Sequence, residues 1–95
     1  MILGDLVAQL AEVGVSERAI AAMGDLALLA RVSAAATAAG MSTGEYAARS
    51  VRLFADHAVD EAWLALVGRC QADTDPGLAA LAYILETGLA MKHPA

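Results

Sequence analysis

A chain of 95 residues with a net charge of −5 is one domain's length, and its acidity repels phosphate backbones, which argues against nucleic acid as a partner. Its residues are 59% hydrophobic, above the roughly 45–50% usual for soluble domains. Alanine supplies much of that excess, yet Leu, Val, Ile and Met still exceed what so thin a core hides easily, so the composition favours a surface covered by another chain.

The amino terminus reads Met1-Ile2-Leu3-Gly4-Asp5. It has no basic stretch, which argues against a signal peptide, and no apolar run approaches the roughly 18 residues of a membrane span. Leu3, Leu6, Val7, Leu10 and Val13 then follow helical spacing, and Gly14 is the expected terminator. Ser16 is the expected cap of a short second helix closed by Gly24. Asp25 caps a third helix, Leu26 to Ala39, with Leu29, Val32, Ala36 and Ala39 on one stripe and Gly40 at its end.

Ser42-Thr43-Gly44-Glu45 is a capping box: the Ser42 hydroxyl accepts from the Glu45 amide while the Glu45 carboxylate reaches back. The fourth helix runs on towards His57, with Ala47, Val51, Phe54, Ala55 and Ala58 as its apolar stripe and Tyr46 and Leu53 at the flanks. Asp60 is read as the cap of a fifth helix, with Val59 and Leu64 as a hydrophobic staple and Trp63, Leu66 and Val67 as the apolar face. Gln71 to Asp75 is a loop, and Asp75-Pro76 starts the last helix, since Asp caps well and Pro suits the first helical position. Leu78, Leu81, Ala82, Leu85 and Leu89 form its stripe, Gly88 is expected to fray its end, and Lys92-His93-Pro94-Ala95 is a tail. No run alternates apolar and polar as a strand does. The expected fold is therefore all-α: a compact bundle of five to six short helices, residues 1–95 forming a single domain.

Catalytic and metal-binding patterns are sparse. His57 has Glu61 four residues on, but a helix break at Asp60 separates them and no second histidine pair exists; a surface histidine among acids is the competing reading. Asp73-Thr74-Asp75-Pro76-Gly77 begins like a calcium loop, but Ile84 stands where the bidentate Glu is required, so the segment reads as a loop into a helix cap. Cys70, the only cysteine, excludes an intramolecular disulfide, fits a reducing cytoplasm and reads as a structural thiol. No nucleophile elbow, P-loop or dinucleotide fingerprint is present. We expect no cofactor, no metal and no enzymatic activity; chemistry at Cys70 or a metal is the remote alternative.

The aromatics are Phe54, Trp63, Tyr46 and Tyr83. Phe54 and Trp63 read either as core or as interface anchors. Val51 and Phe54 share a stripe with small alanines that would let a second helix approach. Val51, Phe54, Tyr46 and Trp63 are accordingly the candidate interface residues.

Residues 26–57 resemble the helix pair of ribbon-helix-helix proteins: Ala39-Gly40-Met41-Ser42, then Glu45-Tyr46, Arg49 and Val51, look like that family's turn and second helix. The resemblance implies an intertwined dimer with the second helix at its centre. It also implies an anion contact at Ser42 and Thr43, where free amides and the helix dipole attract phosphate, with Arg49 nearby. Arg31 and Arg52 lie in the same helix pair. The sequence departs from the family where its DNA-reading strand should be. Ala19 to Asp25 has no alternation, no basic residue and no Asn or Gln to meet base edges.

The functional expectation is a small protein–protein interaction module acting in the cytoplasm, a homodimer or an accessory subunit of a larger assembly. Arginine makes up five of the six basic residues and, with so much alanine, points to a GC-rich bacterial coding sequence. The alternative is a ribbon-helix-helix-like DNA-binding regulator or antitoxin.

Overall fold

The structure, a computed structural model, describes residues 3–91. These form six helices and no strand: α1 (Leu3–Leu10), α2 (Val13–Ala22), α3 (Leu26–Ala38), α4 (Thr43–His57), α5 (Asp60–Ala72) and α6 (Pro76–Met91). The expected all-α bundle is what the chain adopts. No single described helix is long and apolar enough to cross a membrane.

Local chemistry sets most of the boundaries. Asp25 Oδ1 accepts from the Leu28 amide at 3.0 Å, and Asp75 Oδ1 accepts from the Leu78 amide at 3.2 Å. Each satisfies an orphan donor of a helix's first turn. Gly24 and Gly40 have φ of +73° and +70°, which only glycine adopts freely, so each lets the chain reverse. At Gly40 the reversal is a full Schellman motif: the Met41 amide donates to the Ala36 carbonyl at 2.9 Å, and the Gly40 amide to Thr37 at 3.1 Å.

The first two helices depart from the sequence reading. Gly14 does not stop α1, and Ser16 does not cap α2. The α1 helix ends at Leu10, the chain turns through Ala11 and Glu12, and Gly14 is already the second residue of α2. Ser16 lies inside α2, fully buried, and its hydroxyl donates to the Leu10 carbonyl. The serine thus closes the end of the preceding helix instead of starting its own. Its burial makes sense only with that partner, because an unpaired buried hydroxyl is costly.

Two further boundaries move. Asp60 is the first residue of α5, with Val59 at the cap position and no side-chain cap, so the expected cap is not made. Val59 and Leu64 are 67% and 71% exposed and form no staple. The α5 helix runs on to Ala72, leaving a loop of only 73–75. At the other end α6 passes through Gly88 without fraying and continues to Met91. An added Cβ at Gly88 would lie 4.0 Å from Ser50 Oγ of α4, an ordinary contact.

The core is one cluster fed by all six helices, from Val7 and Leu10 through Leu28, Val32 and Val51 to Leu81, Ile84, Leu85 and Leu89. Helix α6 packs against each of the other five, which is why it buries Ala79, Ala80 and Ile84 beyond the single expected stripe, while Leu78 and Ala82 stay half-buried. On α3 the buried row is Leu28, Val32 and Ala36: Val32 and Ala36 hold the expected stripe, while Leu28 is buried in place of half-buried Leu29, and Ala39 is exposed. On α4, Tyr46, Ala47, Ala48, Val51 and Phe54 are buried, whereas Ala55 and Leu53 face outward. Helix α2 presses so closely on the start of α4 that a Cβ at Gly44 would overlap the Glu17 side chain.

Ser16→Ala is expected to destabilise the protein by about 1–3 kcal/mol, the cost of leaving a buried acceptor without its donor. Urea unfolding followed by circular dichroism measures it; a change within about 0.3 kcal/mol would mean that the Leu10 carbonyl finds another donor.

Candidate interaction surface

The residues expected at an interface mostly lie inside the protomer. Tyr46, Val51 and Phe54 are buried, and Trp63 is half-buried. The Phe54 ring meets Trp63 of α5 edge-on at 5.0 Å between centroids, and Tyr83 of α6 at 6.1 Å. The expectation that a thin core leaves this stripe uncovered is thereby corrected: α5 and α6 bring the aromatic cover. Arg69 extends the cluster outward, its guanidinium 5.4 Å from the Tyr83 ring centre and its Nη2 3.4 Å from Glu86 Oε2. Such aromatic pairs contribute about 0.5–1.5 kcal/mol each beyond area burial, and an exposed ion pair about 0–1 kcal/mol.

This placement sets what Phe54→Asp should do. A charge inserted among Trp63, Tyr83 and Val51 should unfold the protomer, whatever its oligomeric state. Phe54→Ala is expected to cost about 3–5 kcal/mol. A helical, cooperatively folded Phe54→Asp protein in a thermal melt would contradict the packing.

The anion contact implied at Ser42, Thr43 and Arg49 is differently furnished. Ser42 Oγ accepts from the Glu45 amide at 3.1 Å, and Glu45 Oε1 accepts from the Ser42 amide at 2.9 Å. The capping box is complete, and the protein's own carboxylate stands at the helix start where an external anion would sit. Thr43 is half-buried, and exposed Arg49 sends Nη1 to 4.0 Å from Met41 Sδ. Hydrogen bonds from the Ser42 backbone, then from its side chain, hold the Glu45 carboxyl below its ordinary pKa. A carboxyl whose folded pKa is depressed adds stability above its unfolded pKa and loses it as pH falls through the folded value. Wild type should therefore lose stability on acidification below about pH 4.3 more steeply than Glu45→Gln. Melting both proteins across that range tests this; parallel curves would remove Glu45 from the acid response.

The remaining chemical candidates do not converge. His57 ends α4 exposed, and extended backbone at Ala58 and Val59 separates it from Glu61. Among the described residues, no group of three or more His, Cys, Asp or Glu could hold a metal ion. Cys70 is half-buried with Sγ 3.6 Å from the Pro76 carbonyl, and burial pushes its thiol pKa up. A protonated thiol is a poor nucleophile. Cys70 should alkylate with iodoacetamide at neutral pH more slowly in the folded chain than in urea; equal rates would show an open, activated thiol.

Two outward features stand out. One is an open groove of about 370 Å³ between α1, α4 and α5, floored by Val7, Ala8, Ala11 and Ala55, with Trp63 on one wall and Arg52 and Asp56 on α4. The other is the outer face of α5. This helix carries an unbroken apolar run, Ala62 to Val67, while its side away from Leu66 also holds Asp60, Glu61 and Gln71. Its only extensive contact among the described residues is with α6, and Leu66 is its only buried residue. Leu64 projects away from that contact, and Gly68, one turn on, has no atom within 4 Å of where a Cβ would be. The sequence reading missed this face because it assigned Leu64 to a staple. The available signal was the lack of a polar side to Ala62-Trp63-Leu64-Ala65-Leu66-Val67.

Comparison with family models, with curated proteins and with solved structures finds no match.

Proposed function

We propose that this chain is a small protein–protein interaction module with no catalysis of its own, working as a homodimer or as an accessory subunit of a larger assembly. The observation that carries the reading is α5, whose only extensive contact among the described residues is with α6 and which leaves Leu64 71% exposed. Leu64 and the groove beside Trp63 add exposed apolar surface of the kind that marks contact sites. The reading includes a bacterial cytoplasmic setting, which the arginine and alanine bias and the single cysteine support. No cofactor or metal is part of it.

A second reading, a DNA-binding regulator or antitoxin of ribbon-helix-helix type, draws on Arg31, Arg49 and Arg52, all exposed on α3 and α4. Against it stand the net charge of −5 and a helical segment 19–22 where the family's strand would lie.

Light scattering on the full chain at roughly 10–200 µM, the range in which weak interfaces assemble, tests the first reading. We expect twice the chain mass or, for an accessory subunit, a stable complex recovered by affinity capture from the native host. A monomer that captures nothing would defeat the proposal. Duplex DNA at physiological salt should not be shifted at micromolar protein; binding that weakens steeply with added salt would install the second reading instead.

A further inference from the structure

We infer that α5 is a detachable strap: it leaves the bundle and unwinds as one unit while α1 to α4 and α6 keep their mutual packing. The inference concerns the single chain and does not depend on the association reading above.

The argument begins with what α5 would take with it. Among the described residues its only extensive packing is against α6, whereas the other five helices are joined to one another without it. Every member of the buried apolar cluster except Leu66 lies on those five helices. The polar and ring ties of α5 are light. Half-buried Trp63 meets Phe54 edge-on at 5.0 Å, and exposed Arg69 reaches Glu86 at 3.4 Å and the Tyr83 ring at 5.4 Å. Cys70 Sγ lies 3.6 Å from the Pro76 carbonyl. Detachment also leaves the buried hydroxyl of Ser16 satisfied, because its partner is the Leu10 carbonyl at the end of α1.

The ends and the interior of α5 favour the same event. Ala58 and Val59 before it and Asp73 after it are extended, and both Val59 and residues 73–75 are exposed, so the connectors hold no packing that must break first. No side chain caps its first turn. Gly68 lowers its helix propensity and has no atom within 4 Å of where a Cβ would be, so no close packing offsets that cost. A helix of 13 residues is marginal on its own, so detachment and unwinding coincide. The event lifts Trp63 off the Phe54 ring and Arg69 off the Tyr83 ring, which makes that aromatic seat a two-state element.

The test is amide hydrogen exchange on the full chain, read residue by residue across low urea concentrations, with dichroism as the check on folding. In wild type, the amides of residues 64–70 should exchange at least about tenfold faster than those at Val51 and Ile84, after correction for intrinsic rates. They should share one shallow urea dependence, since a partial opening exposes less surface than unfolding does. Val32→Ala alters a buried α3 residue that stays packed whether α5 is closed or open. It should speed exchange at Ile84 by about tenfold yet leave α5 within about twofold of wild type. Amides of α5 that match Ile84 in rate and slope, or that accelerate with it in Val32→Ala, would show that α5 opens only by global unfolding and would overturn the inference. Rates scattered along α5 with no common slope would overturn it too, since they describe fraying and not a unit. The wild-type slopes decide the matter alone if Val32→Ala does not fold.

Discussion

Leu81, Ile84, Leu85 and Leu89 of α6 form the row on which the rest of the bundle is assembled. All four are buried, and the helix that carries them touches every other helix in the structure. A helix so placed cannot keep a polar side, and the Leu-Ala-Ala-Leu-Ala-Tyr-Ile-Leu run from Leu78 to Leu85 has none. Small residues let its neighbours close in: Ala79 and Ala80 are buried, and Gly88 lies opposite Ser50. The alanine-rich composition therefore gives close helix approach more than bulk. The radius of gyration, 12.2 Å, is near the ~12 Å expected of a compact chain this long.

What could be read from the sequence follows from the range of each interaction. Asp25, Ser42 and Asp75 act on amides three residues away, and Gly24 and Gly40 act through their own backbone angle, so their roles stand in the local sequence. Ser16 looks like the same kind of signal, but its partner, the Leu10 carbonyl, lies across a turn whose position is a tertiary matter. Gly14, Gly44 and Gly88 sit within helices, where propensity alone would discourage glycine; at Gly44 the explanation is a neighbouring helix that no local pattern announces. The stripe on α3 holds at Val32 and Ala36 and differs only at its ends, where Leu28 is buried in place of Leu29, because a run of alanines and leucines offers adjoining faces.

The same logic explains the exchange of roles between Phe54 and Leu64. A large aromatic on an alanine stripe reads equally well as core or contact, and only the arrival of Trp63 and Tyr83 decides for the core. Leu64 draws no attention within the unbroken apolar run from Ala62 to Val67. The geometry brings together Phe54, Trp63, Tyr83 and Arg69, but among the described residues it gathers no group of three His, Cys, Asp or Glu side chains able to hold a metal ion.

The way α5 is fastened also gives the molecule a built-in optical signal. Trp63 is the chain's only tryptophan, and it stands at the joint where α5 meets Phe54 of α4, within the aromatic cluster that includes Tyr83 of α6. Because its only extensive contact among the described residues is with α6, α5 can open while the other helices keep their mutual contacts. Detaching it would move the indole from a ring-lined seam into water while five helices stayed wound. Fluorescence would then register a partial opening that costs far-ultraviolet dichroism no more than the share of the 13 residues of α5.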